Sequence, residues 1–157
     1  MAQHTDEASK KGRSSRRRGQ VGEREFLKLL QSLLSDRGLG LTLQRNYDQT
    51  AVGGADCLGI PELAIEVKRQ EVLDVPGWWR QAIKQAERLD RIPILAYRQN
   101  ATRKTGKVWT VLVPVNIAPD AEQRSFQSRS GLPPAAIVTP EYLADWYRAK
   151  MLVTPTP

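Results

Sequence analysis

Asp56, Glu66 and Lys68 are the residues of this chain whose types and spacing can do chemistry. Glu66 and Lys68 lie two apart in "LAIEVKR" (63–69), which reads as a strand. Side chains alternate across a strand, so these two share one face while Ile65 and Val67 turn to a core on the other. Ala55–Leu58 reads as a second strand, joined to Leu63–Arg69 as a hairpin around Gly59–Glu62. A three-residue loop at Ile60-Pro61-Glu62 sets Asp56 opposite Glu66, with Cβ atoms about 4.5–5.5 Å apart. A four-residue loop would shift that pairing by one. Two carboxylates so close repel unless a proton or cation lies between them. A hard divalent cation such as Mg²⁺ satisfies both. An ammonium beside the attacking water can hold it and stabilise charge growing on a phosphate, which gives Lys68 a task. The plainer reading is a Glu66–Lys68 ion pair on an exposed strand face, since "ExK" alone is a weak signal.

A third acid is expected from the preceding helix, with Glu23 and Glu25 as candidates. Glu23, Phe26, Leu27, Leu30 and Leu34 fall at helical spacing, so Glu23 tops the stripe that faces the core. Glu25 lies off that stripe and reads as solvated. An acid in a first helical turn is also favoured by the helix dipole, but this does not explain an inward-facing one.

The elements that must position these groups follow from periodicity and punctuation. A helix is expected over about Gln20–Arg37, stopped by Gly38. Strands are expected at 41–46, 55–58, 63–69, 92–98 and 107–115, with a loop at 47–54 and a turn at 101–106. Pro76 starts a helix continuing over 77–89, and Thr139-Pro140-Glu141 starts one running to about Met151. Residues 117–138 show no period and read as a loop or extension, and "TPTP" as a frayed end. The order predicts a mixed α/β fold, with helices flanking one central sheet. Three regions result: a disordered basic arm (1–18), a core (19–116) and a loop-plus-helix extension (117–157).

Composition limits the partners. The 157 residues carry a formal charge of +7. Residues 1–18 hold six cations, Arg16, Arg17 and Arg18 among them, against two acids, a local charge of +4. A basic arm on a mildly basic body fits a polyanion such as nucleic acid, the favoured reading, with a solubilising tail or an import signal as the alternatives. Asp6 and Glu7 weaken a transit-peptide reading. No apolar run approaches the roughly 18 residues of a membrane helix, and no signal-peptide core opens the chain, so a cytoplasmic protein is expected. The single cysteine, Cys57, allows no intrachain disulfide and reads as a small buried hydrophobe. The only histidine, His4, lies in the arm, which excludes Ser-His-Asp and histidine–metal hydrolysis. No phosphate-loop signature is present.

"RGQVGEREFLKLL" (18–30), "GAD" (54–56) and "AIEVK" (64–68) together resemble the PD-(D/E)xK nuclease superfamily, most of all archaeal-type Holliday-junction resolvases and related phage endonucleases. The likeness covers roughly 18–116, and Ala55 stands where the superfamily often has proline. It implies a restriction-endonuclease-like fold in which Asp56, Glu66 and Glu23 bind Mg²⁺, with Mn²⁺ as a substitute, and Lys68 serves the hydrolytic water. It implies that Arg24 touches DNA backbone. Gln70 either lines the site, as a glutamine after "ExK" often does in similar nucleases, or is a polar strand end. The expected activity is Mg²⁺-dependent DNA cleavage, on branched DNA of the Holliday-junction kind, in recombination or repair. The protein would be phage-encoded or nucleoid-associated. The alternatives are a linear-duplex nuclease of the same fold and a non-catalytic DNA-binding module.

Four further residues are weighed. Gln81 and Gln85 share a helix face and read as solvated, with phosphate contact the alternative. Trp78 and Trp79 are adjacent, so one is expected in the core and the other on a base or a partner. A junction needs two matched cuts, so a C2 homodimer is expected. Its interface would use one of these tryptophans with Leu143, Trp146 and Tyr147.

Overall fold

The computed structural model describes residues 3–48, 54–100, 106–126 and 131–153. The elements are α1 (Gln3–Asp36), β1 (Gln44–Arg45), β2 (Cys57–Leu58), β3 (Leu63–Gln70), α2 (Val75–Leu89), β4 (Ile92–Gln99), β5 (Thr110–Pro114), a 3₁₀ turn (Val115–Ile117), β6 (Gln123–Arg124), β7 (Ala135–Val138) and α3 (Pro140–Val153). Five strands form one sheet in the order β3-β4-β5-β7-β6, and β1-β2 form a separate ribbon. The β3/β4 pair is parallel and all others are antiparallel. The mixed α/β sheet with flanking helices is therefore as expected.

Both sheet faces are covered, which explains the unbroken apolar strands. Leu63, Ile65 and Val67 pack with Phe26, Leu30 and Leu34 of α1 and Leu143 and Tyr147 of α3. On the opposite face Trp78, Trp79 and Ala82 of α2 meet Leu95, Tyr97 and Leu112. α2 begins where Asp74 accepts from the Gly77 amide, with a proline in the first turn.

Four expectations are corrected. The basic arm is not disordered: α1 runs unbroken from Gln3. Its Lys- and Arg-rich stretch holds good helix formers and no proline, and Arg18 donates to Ser14 one turn back at 3.1 Å. The predicted hairpin is not a ladder either. β2 pairs with β1, as Arg45↔Cys57 and Gln44↔Leu58. Asp56, immediately before that ribbon's second strand, reaches β3 through its amide on Ile65 O at 2.9 Å. Residues 117–138 are not only loop, because "AAIV" (135–138) becomes β7 and pairs with β5. With α3 in the same core as α1, residues 117–126 and 131–153 belong to the fold rather than extending it. Finally, Glu25 is not merely solvated: its Oε2 accepts from Arg98 Nη2 at 2.5 Å. Most of the expected loop at 47–54, the turn at 101–106 and the end "TPTP" lie outside the described residues.

Gly22 explains how α1 can lie so close to the sheet. A Cβ built there would stand 2.6 Å from Arg69 Cβ.

Candidate active site

The site lies on β3, one of the two edge strands of the five-stranded sheet. Its alternation is as expected, with Ile65 and Val67 in the α1-side core. Glu66, only 2% exposed, turns towards α2. There Gln81 Nε2 donates to Glu66 Oε1 at 2.8 Å. Lys68 Nζ lies 2.6 Å from the same oxygen. Glu66 Oε2 is buried with no hydrogen-bond partner. A buried carboxylate oxygen without a donor is costly, and a cation answers that cost.

Asp56 is 5% exposed and reaches the same strand by another route than the predicted register. The Val67 N–H donates to its Oδ2 at 2.7 Å. The carboxylate thus takes a ladder hydrogen bond on the edge of β3, which brings it beside Glu66. Burial pushes the Asp56 carboxyl up to about 8, reinforced by the charges of Glu66 and Glu23 and opposed by the Val67 amide and Lys68. An acid raised first by burial and then by acidic neighbours marks a candidate functional site.

Glu23 of the expected three-carboxylate set stands apart from the other two in this structure. Among the described residues, no three His, Cys, Asp or Glu side chains gather closely enough to hold a metal. Glu23 is near enough to raise Asp56, but its carboxylate is tied to Arg45 of β1. Asp56 and Glu66 remain. Two carboxylates fit Mg²⁺, which commonly takes one or two from protein and fills its other positions with water and phosphate oxygens.

The other expected residues are spread along α1 and β3. Arg24, Arg16, Arg17 and Arg18 are exposed on α1, and Gln70 is half-buried at the end of β3. The aromatic residues proposed for a dimer interface are largely used inside the chain. Trp78 lies 6.0 Å from the Tyr97 ring. Trp79 donates to Pro133 O. Leu143 and Tyr147 are fully buried, and Trp146 packs on the core. Cys57 is buried as expected, with its thiol pushed up to about 12.

Sequence reasoning undervalued Gln81. It does lie on the exposed border of α2, but its amide reaches inward to Glu66. The available signal was its place three residues after Trp78, beside the apolar stripe. Arg45 and Arg98 gave no such signal, because their acid partners lie far away in sequence.

The family described as "phage putative PDDEXK endonuclease" matches residues 14–128. The chain belongs to that family. Its match reaches back into the arginine-rich part of α1 and forward past β6, so it takes in every residue of the site. Among solved structures, the chain is similar to Archaeoglobus fulgidus Hjc, a Holliday junction resolvase from an archaeal hyperthermophile. The identity is 17%, over 79% of this chain and 85% of that one, with a TM-score of 0.42. No curated protein matches the chain. No helix among the described residues is long and apolar enough to cross a membrane.

Proposed function

We propose that this protein is a Mg²⁺-dependent DNA endonuclease that hydrolyses phosphodiester bonds, with branched DNA as its preferred substrate. The observation that carries the metal reading is the unpartnered Glu66 Oε2 beside a buried, raised Asp56. Asp56 and Glu66 would hold Mg²⁺, and Mn²⁺ would substitute. When bound, the ion polarises the scissile phosphate and eases deprotonation of the attacking water.

The chain's own groups do the rest. Gln81 fixes Glu66 by occupying one oxygen. Lys68 pairs with Glu66 in the resting site, and in the reaction it would donate to the attacking water or to a phosphate oxygen. The exposed arginines of α1 supply affinity for backbone phosphates. Family membership supports nuclease chemistry, and the motif likeness to resolvases favours a four-way junction. Two matched cuts would then need two copies, meeting through surfaces other than the buried aromatic residues.

The test is cleavage of plasmid and of a labelled four-way junction, with Mg²⁺ against EDTA. Asp56→Asn, Glu66→Gln and Lys68→Ala should each cut at least about 100-fold more slowly while binding stays within a few-fold. Near-normal cutting by Asp56→Asn would overturn the metal assignment. A monomer that cuts linear duplex and junction equally would turn the reading to a linear-duplex nuclease. Binding without cutting by the wild type would leave a DNA-binding module.

A further inference from the structure

A second site lies where α1 crosses the far end of β3. Lys11 and Arg18 of α1 and Arg69 of β3 line a cavity of about 190 Å³. At about 30 Å³ per water, its volume is that of some six waters, enough for one phosphate group with its hydration. Ser15, Gln70 and Asn100 complete the wall with neutral polar groups. Three positive charges thus face one negative lining residue, Glu71, whose carboxylate lies 3.6 Å from Arg18.

The cavity has a fixed floor. Arg69, only 20% exposed, is held by Glu25 at 3.6 Å and donates from Nε to Asn100 Oδ1 at 3.2 Å. The Asn100 amide is in turn tied to Gln70 O. The rim on α1 is more exposed and charged, and Glu71 is 77% exposed beside it. Such a carboxylate resembles a weakly held counter-ion that an incoming anion can displace.

We infer that this cavity seats one backbone phosphate of the DNA, close along the strand from the phosphate that is cut. Gln70 follows Lys68 by two positions on the same face of β3, an advance of about 6.6 Å. Arg69 of the floor meets α1 through Gly22, on the strand face opposite Lys68, so the seat lies around the β3 edge from Lys68 and holds a neighbour of the cut phosphate rather than the cut phosphate itself. The inference deepens the nuclease reading and rests on it for that register. It gives the helical arm a definite task, as one wall of a phosphate seat, and adds Lys11, Arg69 and Asn100 to the DNA contacts.

The experiment measures binding in Ca²⁺, without cutting, to labelled four-way junctions that each carry one neutral methylphosphonate. For the wild type, one position near the cut should weaken binding several-fold. In Lys11→Ala/Arg18→Ala that position should fall silent while effects elsewhere persist. Glu71→Gln, which removes the competing carboxylate, should tighten binding about two- to five-fold. If every methylphosphonate effect survives the double substitution, or if Glu71→Gln weakens binding, the seat does not exist. Cutting is read separately in Mg²⁺. A wild type that does not cut but loses the one methylphosphonate effect on double substitution would end the nuclease reading and leave the phosphate seat standing.

Discussion

Gln81 donates to Glu66 Oε1 across the α2–β3 contact at 2.8 Å, and so fixes which Glu66 oxygen stays open. Removing a group that orients a metal ligand commonly costs 10–100-fold in metal affinity or activity. Gln81→Ala should therefore raise the Mg²⁺ concentration for half-maximal cutting about 10-fold, with DNA affinity unchanged. A Mg²⁺ titration of the cutting rate checks this. Gln81→Glu should be worse still at low Mg²⁺, because it sets another carboxylate against Glu66.

Asp56 gives the metal-free protein a pH signature. Its carboxyl has an ordinary value of 3.8 and is pushed up to about 8 in the fold. Between those values the folded chain keeps a proton that the unfolded chain releases, so stability must fall as pH rises. The contribution is fully present below about pH 4 and lost by about pH 8. Thermal melts in EDTA should show a lower Tm at pH 8 than at pH 5. Asp56→Asn should flatten that slope, and so should saturating Mg²⁺. A Tm that climbs from pH 5 to 8 in EDTA would contradict the burial of Asp56 as an acid.

Gly22→Ala should destabilise the protein although alanine is the better helix former. The propensity gain is about 1 kcal/mol. Against it stands a Cβ 2.6 Å from Arg69 Cβ, an atom fixed to the strand, and overpacking of this kind costs about 1–3 kcal/mol. A net loss of about 1 kcal/mol would lower Tm by about 2–4 °C in a chain of this size. A raised Tm would mean that α1 and β3 can separate cheaply.

Glu25→Ala should be among the most damaging single changes outside the site. It strands Arg98, which is 2% exposed and already carries a buried, unpartnered Nε. Breaking a buried pair costs about 3–5 kcal/mol, whereas replacing both partners can be nearly neutral. Since Glu25 is partly exposed, a loss near about 3 kcal/mol is expected. Urea melts of Glu25→Ala, Arg98→Met and the double variant should show the double variant no worse than Glu25→Ala.

The parts legible in the sequence are those with a period or a punctuation mark. α2 announced itself by Asp74 and Pro76, and the β3 alternation placed Glu66 opposite the Ile65 face. "AAIV" did not announce β7, because a run of four apolar residues between prolines carries too little pattern to separate strand from loop. The register of Asp56 was misjudged for a different reason. Local loop length says nothing of Gln44–Arg45, which competes for β2 and wins. Glu25 and Arg98 are 73 positions apart, and no local rule reaches that far.

The unbroken course of α1 bears on how duplex DNA can be held. A helix advances 1.5 Å per residue, so its 34 residues make a rod of about 51 Å. The stretch from Gln3 to Arg18 accounts for about 24 Å of it, the axial length of roughly seven base pairs. A tether of the same composition would sample many directions and leave no fixed imprint. A rod anchored beside Arg69 acts as a straightedge, so protection from chemical footprinting should extend a set distance to one side of the cut and stop there.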